Sequence, residues 1–132
     1  MERLRQLPAL QRRNIAAAVH VEIAPLVGNR DVDALRRAAR ATQDERWRLI
    51  ASGNRDMTDA RFASVVVAEQ WLLARLEIAA SAGAVSEALA EKRRNAIEDF
   101  IRANLPSGEV VQLYPHAPPA RRERAGSSQP AA

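Results

Sequence analysis

The chain is predicted to be all-α, an antiparallel up-down four-helix bundle with a disordered C-terminal tail. Three observations carry this. Apolar residues recur at three- and four-residue spacing over four long segments, prolines and Gly-Asn pairs punctuate those segments, and the residues after Tyr114 lose bulky apolar character. With 132 residues, 47% of them hydrophobic, the chain can fill one core and has no room for two. One helical domain over residues 1–114 is therefore expected, with the tail over 115–132.

Pro8 suits the first turn of a helix over about residues 8–26, because its missing N–H would have no partner there, and Pro25 followed by Gly28-Asn29 stops that helix. Asp31 is a natural N-cap for a second helix over about 32–52, which Gly53-Asn54 ends. Asp56 or Thr58 caps a third over about 57–82. Gly83 closes that helix, Ser86 caps a fourth over about 86–105, and Leu105-Pro106 ends it, since the residue before a proline disfavours the helical region. Connections this short favour antiparallel neighbours. Residues 109–114 read as a strand or an extended segment laid on the bundle. Pro115 to Ala132, rich in Pro, Ser, Ala and Arg, cannot bury enough apolar surface to order itself.

Each helix carries one long charged side chain within its apolar stripe: Glu22, Arg46, Glu69 and Arg93, alternating in sign. At about 1.5 Å rise per residue in an up-down bundle, Glu69 comes within about 10 Å axially of the other three. Arginine spans such gaps, and an unpaired buried charge costs several kcal/mol, so these groups are expected to form a charged layer that fixes helix register. His20 falls on the polar face of the first helix and His116 in the tail, so neither completes a Glu-x-x-His metal pair.

The third helix has a second apolar stripe, Val67, Trp71, Ala74 and Ile78, opposite the first. One helix of four is not easily surrounded. The stripe, with Trp47 of the second helix, therefore reads as a partner interface, most simply for a second copy of the chain; the 110–114 segment folding back over it is the alternative.

An isoelectric point near 10.8 suggests nucleic acid, with Arg5, Arg12, Arg13, Arg94, Arg121, Arg122 and Arg124 as contacts. Yet every basic residue except Lys92 is arginine, beside abundant alanine, as GC-rich bacterial codon usage would produce. Acids also stand four residues before bases in the pairs Asp33/Arg37, Asp44/Arg48 and Glu98/Arg102, the order that compensates charge on a helix surface. Ile78 to Ser86, with a small residue four positions before Gly83 and Leu89 beyond, resembles the core of a helix-turn-helix, which would make the helix from Ser86 the recognition helix.

The chain has no cysteine, no glycine-rich phosphate loop, no Gly-x-Ser-x-Gly elbow and no His-Glu-x-x-His. The sequence thus predicts a non-enzymatic protein without cofactor or metal, with a protein partner or itself as partner and nucleic acid as the alternative. No apolar run approaches the roughly 20 residues that span a bilayer, and no signal-type segment follows Met1, so a cytoplasmic location with no membrane partner is expected.

Overall fold

The computed structural model describes residues 1–80, 84–105 and 108–114. Among these residues six helices pack together and no strand forms. They are α1 (Glu2–Arg5), α2 (Ala9–Ile23), α3 (Val32–Ala51), α4 (Ala60–Ala80), α5 (Ala84–Asn104) and α6 (Gly108–Leu113), with a 3₁₀ turn over Ala24–Leu26 after α2. The Gly83 turn and the 115–132 tail, read above as a helix stop and a disordered segment, lie outside the described residues.

The helix ends follow local chemistry. Pro8 sits in an extended conformation at the N-cap of α2, and Pro25 lies in the 3₁₀ turn that ends its run. Asp31 caps α3, its Oδ1 accepting from the Asp33 amide at 3.0 Å. At the other end, Asn54 N–H donates to the Leu49 carbonyl (2.8 Å) and Gly53 N–H to that of Ile50 (3.0 Å), a paired closure that requires the left-handed Gly53 at φ +95°. Helix α4 starts later than 57. Asp59, rather than Asp56 or Thr58, accepts from the Phe62 amide at 3.0 Å, while Asp56 closes a turn onto the Thr58 amide and hydroxyl at 2.9 and 2.7 Å.

Helix α4 is the centre of the molecule. Helices α2, α3 and α5 all pack on it, and α2 packs on α5 as well. This accounts for its two stripes. Phe62 and Val65 meet Leu49 of α3 in one cluster, whereas Ala63, Val67, Ala68, Trp71 and Leu72 belong to the main core with Ile15, Val19, Ile97 and Ile101. The expectation that one helix of four cannot be surrounded is thus corrected, because three neighbours cover most of the α4 circumference.

The segment read as extended is helix α6. Val110, Leu113 and Tyr114 stand three and four residues apart, so a helix turns all three the same way; Val110 and Tyr114 are buried, while Val111 and Gln112 face out. The buried faces of α2 and α5 do not centre on Glu22 and Arg93, the charges expected within their stripes. Helix α2 buries Ile15, Ala16, Val19 and Ile23 and leaves Leu10 and Val21 outside; α5 buries Ala90, Ile97, Phe100 and Ile101 and leaves Val85 and Leu89 outside. Short helix α1 adds Leu4 to the core.

Candidate functional site

The Trp71 stripe is not an outer surface. Val67, Trp71 and Ala74 are at most 1% exposed and Ile78 is half-buried, so the interface reading is corrected: this is the core. A buried indole leaves one N–H to satisfy, and Trp71 Nε1 donates to Glu98 Oε2 at 2.9 Å. The Arg75 guanidinium lies over the indole ring, 5.0 Å from its centroid. Val110 and Tyr114 share this cluster, so the segment folding back within the chain is the outcome realised. His20 also turns inward, contrary to its polar-face reading, with Nδ1 3.0 Å from the Tyr114 hydroxyl and the rings edge-on at 5.7 Å. Burial, with the nearby Glu98 charge, raises the Tyr114 pKa and keeps the phenol protonated.

Of the four charged residues expected in one layer, two meet. Arg46 of α3 engages Glu69 of α4 through both ends of its fork, Nε to Oε1 at 2.6 Å and Nη2 to Oε2 at 3.3 Å. Glu22 instead accepts from Arg61 at 3.1 Å, and Arg61 bridges onward to Glu45 at 2.9 Å, linking α2, α4 and α3 at the surface. Arg93 is exposed and lies 3.6 Å from Glu77. There is no four-membered layer, because the α5 buried face runs through Ala90, Ile97 and Ile101 and carries Arg93 outward. The surface pairs also differ from their reading: Asp33 pairs with Arg36, Glu45 with Arg48 and Asp99 with Arg102, each three residues apart.

Of the arginines expected to contact nucleic acid, the described ones sit in different settings. Arg5 is exposed on α1 beside Glu2, and Arg13 is exposed on α2. Arg12 is structural: its Nε donates to Asn104 Oδ1 at 3.1 Å and its Nη1 to the Leu7 carbonyl, tying α2 to α5. Arg94 lies at a cleft beside Arg75. Arg121, Arg122 and Arg124 lie outside the described residues, as does the turn that resembles a helix-turn-helix. Among the described residues no group of three or more His, Asp or Glu side chains is placed to hold a metal ion, and no helix is long and apolar enough to cross a membrane.

No family model matches the chain, and no curated protein or solved structure matches it. The candidate site therefore rests on geometry alone.

The sector of α4 left uncovered carries Val66, Gln70, Leu73 and Glu77. Leu73 is 48% exposed and stands one turn before Glu77, which accepts from Ser86 Oγ of α5 at 2.5 Å. Leu89 lies between Ser86 and Arg93 on the same face of α5 and is 56% exposed. Ile50 on the α3 side and Val66 on α4 both pack against the smaller cluster. One turn earlier stands Trp47, also 56% exposed, with the Arg46 guanidinium 5.1 Å from its ring centroid. Trp47, Leu73 and Leu89 thus border one seam running from α3 across α4 to α5. Of the interface residues named from sequence, only Trp47 belongs to it. Leu73 and Leu89 were legible as apolar, but which apolar residues stay outside depends on how far each helix rotates in packing.

Proposed function

We propose that the protein is a non-enzymatic interaction protein that self-associates through the α3–α4–α5 seam. The observation that carries this is three large apolar side chains, Trp47, Leu73 and Leu89, about half exposed on three adjacent helices. A neighbouring set of this kind is costly to leave in water and is the usual composition of an interface centre. The seam also offers both signs of charge, Glu77 on α4 and Arg93 on α5. Across a two-fold axis each copy presents Glu77 where the other presents Arg93, as a self-complementary patch needs. The same reading takes the four long helices as an up-down antiparallel set. Nucleic-acid binding has less to rest on, since Arg12 is committed to Asn104.

Light scattering of the purified chain over a concentration series tests the proposal. A dimer is expected, with Leu73→Glu and Trp47→Glu shifting it to a monomer of unchanged helical circular dichroism. A wild-type protein that stays monomeric throughout overturns self-association.

A further inference from the structure

An open cleft of about 590 Å³ lies where the loop after α2 meets α4, α5 and α6, away from the seam. Three arginines line it from three separate stretches of chain, Arg30 from the loop, Arg75 from α4 and Arg94 from α5. One carboxylate, Glu98, also lines it, and Ile78 and Leu113 contribute apolar wall. Three positive charges against one negative leave a net of two positive charges.

The cleft arginines are not neutralised as several others of the molecule are. Arg46, Arg48, Arg61 and Arg93 each have a carboxylate partner. Among the described residues Arg30, Arg75 and Arg94 form no ion pair. Arg75 is anchored, donating to the carbonyls of Leu26 at 3.1 Å and Asn29 at 2.6 Å while it stacks on Trp71. Those acceptors hold its plane in place without neutralising its charge. Burial, and then the charge of Arg94, disfavour the charged form of Arg75; Glu98 opposes them and Arg30 adds to them. Arg94 likewise donates only to a neutral amide, Asn95 Oδ1, at 3.3 and 3.2 Å. Gathering like charges around a low-dielectric recess costs free energy that a bound anion returns.

We infer that this cleft binds a small organic phosphate monoester. Guanidinium forks match phosphate oxygens bidentately, and an anchored arginine loses little freedom on binding. A phosphate monoester carries roughly two negative charges at neutral pH, which balances the net two positive charges of the lining, whereas a carboxylate balances one. The apolar part of the ester lies against Ile78 and Leu113, and the cleft volume falls within the roughly 300–1,000 Å³ of ordinary small-molecule sites.

Calorimetric titration of the full chain with hexyl phosphate, inorganic phosphate and hexanoate tests this assignment, alongside Arg30→Gln, Arg94→Gln and a charge-matched control, Arg55→Gln, which lies at the far end of α3 from Arg30. Hexyl phosphate is expected to bind saturably at one site and most tightly of the three probes. Each cleft variant should weaken it about tenfold, the size of one lost charge-assisted hydrogen bond, and the control should leave it unchanged. Circular dichroism checks the fold of each variant. Absence of saturable binding, equal weakening by Arg55→Gln, or hexanoate binding as tightly as hexyl phosphate each overturns the inference.

Discussion

Trp71 Nε1 donates a 2.9 Å hydrogen bond to Glu98 Oε2, and both residues are buried. The bond ties the central helix α4 to α5 and holds one carboxylate oxygen of Glu98 in the interior. Trp71→Phe keeps an aromatic ring but removes that donor. A hydrogen bond to a charged group contributes roughly 1.5–3 kcal/mol, and the missing ring volume adds to the loss, so destabilisation of about 2–4 kcal/mol is expected in urea melts. Trp71→Glu should unfold the chain, where a surface position would tolerate it. A folded Trp71→Glu variant would show that the indole is not core.

The two tryptophans should separate spectroscopically. Trp71 is fully buried and Trp47 is 56% exposed. Acrylamide should quench one of the two emissions readily and the other weakly in the native monomer, and Trp47→Phe should remove the accessible component. Ready quenching of both would contradict the burial of Trp71.

For Arg46 and Glu69 the bond is bidentate but the side chains retain 24% and 12% of their exposure. Partial solvation places Glu69→Ala below the cost of breaking a fully buried pair, at about 1–3 kcal/mol. Replacing both residues, Arg46→Met with Glu69→Leu, should recover most of the loss, and a double-mutant cycle should give a coupling above about 0.5 kcal/mol. Additive single effects would mean that the pair contributes nothing.

Glu45 accepts from Arg48 and Arg61, and the hydrogen bonds from these two arginines hold its carboxyl down from 4.5 to about 2. A depressed carboxyl stabilises the native state above its unfolded pKa and loses that contribution as pH falls through the native one. The Arg48 and Arg61 bonds should therefore persist at pH 5 and weaken between about pH 4.5 and 2, as carboxyl-carbon NMR of Glu45 would report. Titration of Glu45 at an ordinary value would show that the two arginines leave it for solvent.

Gly53 has φ +95° and open space where a Cβ would stand. Gly53→Ala meets no steric contact there, so its cost is conformational alone, about 1 kcal/mol. A neutral result in thermal melts would mean that α3 closes some other way.

Helix existence and most helix limits were legible in the chain because they depend on neighbours in sequence. Asp31 caps α3 with its own carboxylate, and Gly53 ends it through backbone freedom. Period alone marked α4 as apolar on two sides, and placed Glu69 within reach of Arg46 as well as of Glu22 and Arg93. What the sequence left open was rotation and order. Whether Trp71 faced a partner or the core depended on α4 sitting between three helices, and whether Arg93 pointed in depended on α5 turning Ala90, Ile97 and Ile101 inward. Glu98 read as a surface partner for Arg102 and nothing in the spacing marked Arg75, until packing set the first against an indole N–H and the second over the same ring. Helical spacing assigns a residue to a stripe to within a turn of the wheel, but burial is decided by the summed packing of all neighbouring helices. Only the assembled tertiary structure evaluates that sum.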